Sequence, residues 1–466
     1  MSTRRALLRQ TADLAADFLE GLPKRPVRAR ATHAELLTSL GGALPEDGEA
    51  AGEVVADLAS AADPGLIASA GPRYFGFVIG GSLPAALAAD WLTSAWDQNA
   101  GLYACSPAAS VVEEVAAAWL LELLDLPRSA AVGFVTGCQM ANATCLAAAR
   151  HAVLERAGWN VEQRGLQGAP RVHVVVGDEA HVTIFSSLRF LGLGAAGAVR
   201  VPADGQGRLR ADALATALAA CDGPTIVCAQ AGNVNTGAFD PLPEIVTLAH
   251  ERGAWVHVDG AFGLWARATT GYRALATGIE GVDSWATDAH KWLNVPYDSG
   301  VAIVAEAGAL QAAMAADAAY LIKGKGEVRD EEDWVPEFSR RARGFPIYAA
   351  LRSLGRRGVA QLVDRCCALA RRMAERLGAA PGVEVLNDVV LNQVLVRFGD
   401  DDAVTRRVIE RVQADGTCWL SGTTWHGRAA LRISVSNWST TEADADRSVD
   451  AILKARLQTS EISRRA

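Results

Sequence analysis

The rhythm of apolar and polar positions changes twice along this chain. Up to about residue 72 the sequence is rich in Ala and Leu at helical spacing, interrupted by the turn Leu44-Pro-Glu-Asp-Gly48. Residues 74–99 are rich in Gly and Trp and break at Gly80-Gly81 and again at Pro84. Trp91 and Trp96 in this stretch read as core side chains. An amphipathic helix is predicted over 110–124. A short apolar run at 132–136 then closes on Gly137, and an Ala-rich helix follows over 141–157. Further apolar runs lie at 172–176, 226–229, 255–258, 284–287 and 301–304, with helical segments such as 212–220 and 242–252 between them. Strands that are apolar on both faces and alternate with helices predict a mostly parallel sheet covered on both sides. The charged, poorly periodic stretch 323–343 reads as a mobile loop or connection. Beyond it, helices over 346–354 and 359–377, strands over 383–385, 393–397 and 431–435, and a closing helix over 444–456 predict a smaller α+β domain. The expected divisions are an N-terminal helical segment (1–75), a large domain (76–310), a connecting and catalytic-loop region (311–345) and a C-terminal small domain (346–466).

Composition narrows the function. The 466 residues are 50% hydrophobic and 21% charged, an ordinary balance for a chain with a large core. A formal net charge of -8 with no basic block argues against nucleic acid as a partner. The short basic pairs Arg340-Arg341 and Arg356-Arg357 read as solvated faces. Eight cysteines are scattered without metal-ligand spacing, so no metal is expected and a reducing compartment is. The N-terminal residues lack the apolar core of a signal peptide, and no stretch approaches ~20 uninterrupted apolar residues, so no membrane span is expected. These readings favour a cytoplasmic enzyme.

Three segments carry candidate chemistry. Asp288-Ala-His-Lys-Trp292 places an amine in an apolar, aromatic setting. Burial there would lower the amine's pKa and free it to attack a carbonyl, although a lysine that snorkels to the surface fits the same letters. Trp255-Val-His-Val-Asp259 ends an apolar strand on a carboxylate. That carboxylate either meets a cation or caps a helix. Thr136-Gly-Cys-Gln139 is a strand-to-helix turn that aims backbone N–H groups and a helix N-terminus at one spot, an arrangement suited to phosphate. A phosphate turn, a carboxylate and a lysine in that order match a cofactor with a phosphate, a ring nitrogen and an aldehyde.

With these residues the chain resembles the fold-type-I enzymes dependent on pyridoxal 5′-phosphate, and among them the group II amino-acid decarboxylases. Residues 288–299, Asp-Ala-His-Lys-Trp-Leu-Asn-Val-Pro-Tyr-Asp-Ser, are similar to that family's Schiff-base motif, usually Asn-Pro-His-Lys-Trp. Ala231-Gly-Asn-Val-Asn-Thr-Gly-Ala-Phe-Asp-Pro241, Val256-His-Val-Asp-Gly-Ala261 and Ser106-Pro-Ala with Glu113-Glu114 resemble three further family segments. The likeness spans about residues 70 to 455.

The resemblance implies an α/β fold-type-I architecture: a mostly parallel seven-stranded sheet in a large, cofactor-binding domain and a smaller C-terminal α+β domain. It implies that Lys291 carries the cofactor, that Asp259 pairs with the ring nitrogen and that His181 stacks on the ring. Gly137, Cys138 and Gln139 correspond to the phosphate turn, Cys138 acting through its backbone N–H, and His290 would also reach the phosphate. Asn233 falls near the ring hydroxyl. Arg432 corresponds to an arginine that binds substrate carboxylate, Gly81 and Ser82 to a stretch that lines the substrate pocket, and Tyr320 to a proton-donating tyrosine on a mobile loop. The implied reaction is decarboxylation of an L-amino acid to an amine and CO₂ in a homodimer with interfacial active sites. Open alternatives are another Cα-bond reaction (a carbon–carbon lyase, an oxidative decarboxylase that forms an aldehyde, or an aminotransferase) and an inactive binding protein of the same fold.

Overall fold

The structure is a computed structural model that describes residues 3–316, 321, 323 and 328–465. Its chain divides into two compact units. One holds Gly80–Arg371 and Asn387–Val394; the other holds the chain up to Ile79, Arg372–Leu386 and the chain from Leu395 onward.

The larger unit is organised around seven strands: β1 (Ala131–Val135), β2 (His173–Gly177), β3 (Val199–Val201), β4 (Thr225–Gln230), β5 (Trp255–Asp259), β6 (Ser284–Asp288) and β7 (Gly300–Val304). Their order across the sheet is β1-β7-β6-β5-β4-β2-β3. The pairs β2/β3, β2/β4, β4/β5 and β5/β6 are parallel, while β7 runs antiparallel to both β1 and β6. Strands β1, β4, β5, β6 and β7 are buried along their whole length, as their unbroken apolar runs require. The helix Cys138–Arg156 packs across β5, β6 and β7. Alanines at 141, 148 and 149 are fully buried beneath it and keep its backbone close to the sheet. Its N-terminus therefore lies at the C-terminal ends of β5 and β6, where a parallel sheet gathers its ligands.

A second sheet, four-stranded and carried mainly by the smaller unit, has the order β10-β11-β9-β8, from β8 (Val383–Val385), β9 (Gln393–Phe398), β10 (Ser421–Trp425) and β11 (Arg428–Ser434). Within that unit Tyr74 stacks on Trp419 with ring centroids 5.0 Å apart. The three helices nearest the N-terminus, Arg4–Gly21, His33–Leu40 and Ala51–Ala62, contain no buried residue.

Several sequence expectations are corrected. Trp91 and Trp96 are not core; they lie on the helix Pro84–Trp96 and are 43% and 47% exposed. Arg340 is not solvated. Its guanidinium is buried against both oxygens of Glu113, at 3.0 and 2.8 Å, and also reaches the carbonyls of Ala100 and Phe134. The stretch 328–343 is consequently no bare loop, and Glu331 and Glu332 within it are buried. Strands β3 and β10 and the helix Asp402–Asp415 were not anticipated. The two helices expected between 346 and 377 are both present; they lie within Gly344–Gly378 and meet at a kink at Gly355, where φ is 60°.

Candidate active site

Two carboxylates end adjacent strands. Asp259 closes β5 and Asp288 closes β6, and both are buried. A buried carboxylate is tolerated only among donors. Asp288 receives the backbone N–H of Cys138 on Oδ1 (2.6 Å) and the ammonium of Lys291 on Oδ2 (2.9 Å); His290 Nε2 lies 3.3 Å from Oδ1. Asp259 receives the Cys138 thiol (3.4 Å) and the Ala261 N–H (3.1 Å) on Oδ1, and the Asn142 amide (3.1 Å) on Oδ2. Cys138 therefore bridges the two carboxylates at the helix N-terminus, and Lys291 and Asp259 join one cluster through it and Asp288.

The state of Lys291 departs from the sequence expectation. Burial does press its amine toward neutrality, but the charge and hydrogen bond of Asp288, with the charge of Asp259, outweigh that, and the net direction is upward. Lys291 stands here as an ammonium held by Asp288, at the position where the family motif usually has Asn. Burial pushes the Cys138 thiol up, reinforced by Asp259 and Asp288, so sulfur remains an S–H donor. The backbone N–H of Cys138, expected to face a phosphate, is instead taken by Asp288. Ala141 N–H returns to Gly137 O (2.9 Å), leaving the first-turn N–H groups of Gln139 and Met140 as those without an intrahelical acceptor.

The turn is held by close backbone contact. A Cβ on Gly300 would lie 2.5 Å from the Cα of Gly137, and one on Gly137 would lie 3.2 Å from the His290 ring. His290 accepts the Ser299 N–H on Nδ1 (3.1 Å) and packs beside Tyr297, with ring centroids 4.4 Å apart. Burial lowers the pKa of His290. The segment holding Gly81 and Ser82 also reaches this region. Gly81 N–H donates to Asn294 Oδ1 (2.5 Å), and a Cβ on Gly80 would meet the Lys291 carbonyl oxygen at 1.9 Å.

His181 caps the helix Val182–Phe190 and is exposed; its Nδ1 is 2.8 Å from Thr183 Oγ1. Asn233 is buried, and its amide oxygen accepts the N–H groups of Asn235 (2.9 Å) and Thr236 (3.2 Å), which commits it to its own loop. Only its Nδ2, 3.4 Å from the Glu179 carbonyl, points elsewhere. Arg432 lies on β11 of the smaller unit, where burial brings its guanidinium down to about 10. Tyr320 lies outside the described residues.

Sequence reasoning missed the layer behind Asp259. Asn142, in the helix Cys138–Arg156, touches Asp259, and its Oδ1 is 2.9 Å from Nε2 of His257. His257 Nδ1 is 3.0 Å from Ser284 Oγ, which also accepts the indole N–H of Trp255 (2.9 Å). Full burial brings His257 down to about 4, so it is neutral at ordinary pH. A polar residue inside an all-apolar strand or an Ala-rich helix is the one signal that could have found His257 and Asn142.

A primary amine, a carboxylate ringed by donors, and a helix start with free N–H groups fit the aldehyde, ring nitrogen and phosphate of pyridoxal 5′-phosphate. Among the described residues no cluster of His, Cys, Asp or Glu could hold a metal ion. Comparison with known proteins agrees with that donor set. The pyridoxal-dependent decarboxylase conserved domain matches residues 34–398. Tryptophan decarboxylase 1 of Oryza sativa subsp. japonica is 28% identical, covering 93% of this chain and 90% of its own length. L-2,4-diaminobutyrate decarboxylase of Rhizobium meliloti is 30% identical over 79% of this chain and 74% of its own. A crystal structure of Oryza sativa TDC with PLP and tryptamine superposes with a TM-score of 0.91 at 26% identity, covering 97% of each chain.

Proposed function

Because this chain belongs to the pyridoxal-dependent decarboxylase family, and so is a PLP-dependent carboxy-lyase that converts an L-amino acid to its amine and CO₂, we propose that its reaction is run by the Lys291–Asp288–Cys138–Asp259 cluster. When bound, the cofactor supplies an aldehyde for an amino group and a ring that accepts the electron pair released at Cα.

The residues of the chain do the rest. Lys291 would hold the cofactor's aldehyde end through its amine. Asp288 Oδ2, 2.9 Å away, holds the amine as an ammonium, and that proton must leave before the amine can react. Asp259 would hold the ring nitrogen and favour its protonated, electron-accepting form. His181 would cover the ring face, and Gly137, Gln139 and His290 would hold the phosphate end. The Cys138 thiol orients Asp259, and its backbone N–H orients Asp288. Asn233 Nδ2 serves the ring hydroxyl. Gly81 and Ser82 line the substrate space, Arg432 takes the substrate carboxylate, and Tyr320 returns a proton to Cα.

The active form is proposed to be a homodimer with interfacial sites. N-terminal helices without buried residues support it, with Leu8, Leu37 and Leu58 each more than half exposed, as do the exposed Trp91 and Trp96. Light scattering would show a monomer if this is wrong. Eight unpaired cysteines support a cytoplasmic location, and no described helix is long and apolar enough to cross a membrane.

The observation that carries the reading is the linkage of Lys291 to Asp259 through two hydrogen-bonded neighbours. Its test is a panel of L-amino acids with CO₂ and amine measured together, run beside Lys291→Ala. Equal CO₂ and amine from wild type, with at least about a 100-fold loss in the variant, is the expected result. Aldehyde and ammonia in place of amine, or an unimpaired Lys291→Ala, would refute it.

A further inference from the structure

We infer that Asn142 is a positioning residue that ties the two ring-contacting groups, Asp259 and His181, into one frame; the inference rests on the cofactor reading above. All three polar positions of its side-chain amide are used. One Nδ2 proton goes to Asp259 Oδ2 (3.1 Å), the other to Thr183 Oγ1 (3.4 Å), and Oδ1 faces His257 Nε2 (2.9 Å).

Each partner fixes the sense of the next. Asp259 presents a carboxylate, so Asn142 must turn its NH₂ toward it and its carbonyl toward His257. His257 then carries its proton on Nε2 and accepts on Nδ1 from the hydroxyl of Ser284. Ser284 in turn accepts the Trp255 N–H, which can only donate. On the other side, Thr183 accepts from Asn142 and gives its hydroxyl proton to His181 Nδ1, which also receives the Thr183 N–H (3.4 Å). One amide thus sets the direction of hydrogen bonds from Trp255 at one end to His181 at the other.

The arrangement orients Asp259 without neutralising it. Asn142, the Cys138 thiol and the Ala261 N–H are all uncharged donors, and His257 behind them is neutral. Oδ1 is filled by two donors and Oδ2 holds one. The remaining lone pair on Oδ2 is where a ring N–H would bond. A protonated histidine in direct contact would have spent the charge that the ring nitrogen needs. Asn142 delivers the same rigidity with no charge at all.

The test is the protonation of the ring nitrogen in holoenzyme loaded with ¹⁵N-labelled pyridoxal phosphate, read by NMR beside kcat and KM. In Asn142→Ala the ¹⁵N resonance is expected to move toward the unprotonated position. We expect kcat to fall about 100-fold, as for a group misplaced by roughly 1 Å, with KM for the amino acid little changed. His257→Phe should move the resonance the same way by less. His257→Gln, which can still donate to Asn142, should restore it. If Asn142→Ala fails to fold, His257→Phe and Ser284→Ala carry the same reading. A lowered melting temperature with an unmoved resonance and wild-type kcat would reduce Asn142 to a structural residue and overturn the inference. A wild-type protein that takes up no cofactor would sink the underlying reading instead.

Discussion

The larger unit buries two polar clusters of comparable depth, and they are built to opposite plans. Around Glu113 and Arg340 each charge has its counter-charge, and neither carboxylate oxygen is left unpaired. The carboxylate takes one guanidinium nitrogen on both oxygens, that nitrogen also reaches the Ala100 carbonyl, the second donates to the Phe134 carbonyl, and the buried Nε makes no hydrogen bond. Around Asp259 and Asp288 an acceptor position stays open. The anions are met by an ammonium, a thiol, an amide and backbone N–H groups, and one lone pair on Asp259 is left over. The closed cluster ties β1 to the segment after residue 328 and can do little else. The open one carries the reactive amine. Depth of burial does not separate structural from chemical polar groups; whether the buried anion keeps an acceptor position open does.

The sharpest way to break that contrast is to remove half of the closed pair. Glu113→Ala leaves the Arg340 charge buried and should cost about 3–5 kcal/mol, seen as a lower denaturant midpoint, while kcat of the folded holoenzyme stays close to wild type. A large kcat loss without destabilisation would erase the distinction.

Acid tests the open cluster next. Burial brings His257 down to about 4 from its ordinary 6.5, so between those limits the unfolded chain binds the extra proton. Its contribution is complete above 6.5 and is lost as the pH falls toward 4. Each unit is worth about 1.4 kcal/mol, roughly 3 kcal/mol over the window. His257→Gln should flatten that part of the stability–pH curve; an unchanged slope would place the acid sensitivity elsewhere.

A smaller effect is expected at Asp288. Asp288→Asn removes the charge that keeps Lys291 protonated, and burial then presses the amine down. Cofactor uptake by the apoenzyme should therefore begin at lower pH and run faster at neutrality, by about tenfold for a loss of roughly 1.5 kcal/mol of charge-assisted bonding. Slower uptake across the whole pH range would contradict the role given to the ion pair. Least of all should follow from Arg356→Ala. Its partner Glu122 and Arg356 itself are each about half exposed, and such a pair contributes about 1 kcal/mol or less. A larger loss of thermal stability would show that exposure is a poor guide here.

Much of this was legible in the letters. Strands buried on both faces announce themselves as unbroken apolar runs, so β1, β2 and β4 to β7 were located to within a residue or two. Lys291, Asp259 and the Gly137 turn stood out because each interrupts such a run with a group costly to bury. What escaped depends on pairing across long stretches of chain. Arg340 looked solvated because its partner, Glu113, lies 227 positions earlier. Asn142, His257 and Ser284 meet only after three separate elements pack. The direction of the shift at Lys291 could not be read without the Asp288 oxygen 2.9 Å away. Strand β3 has three residues, and β10, Ser-Gly-Thr-Thr-Trp, has almost no apolar signal. Trp91 and Trp96 look like core in any window, because hydrophobicity alone does not distinguish an interior from a surface that awaits a neighbour.

Strand β7 runs against its neighbours, and its first residue, Gly300, pairs in register with the last residue of β1, Val135, and also with the last residue of β6, Asp288. A ribosome that has released the sequence only through Lys291 has made every reactive group of the cluster and none of its geometry. The wedge that spaces the helix turn from the lysine is still to be synthesised. The cluster in this chain therefore waits on residues made after its last reactive group, because the strand that separates β1 from β6 follows Lys291 in the sequence.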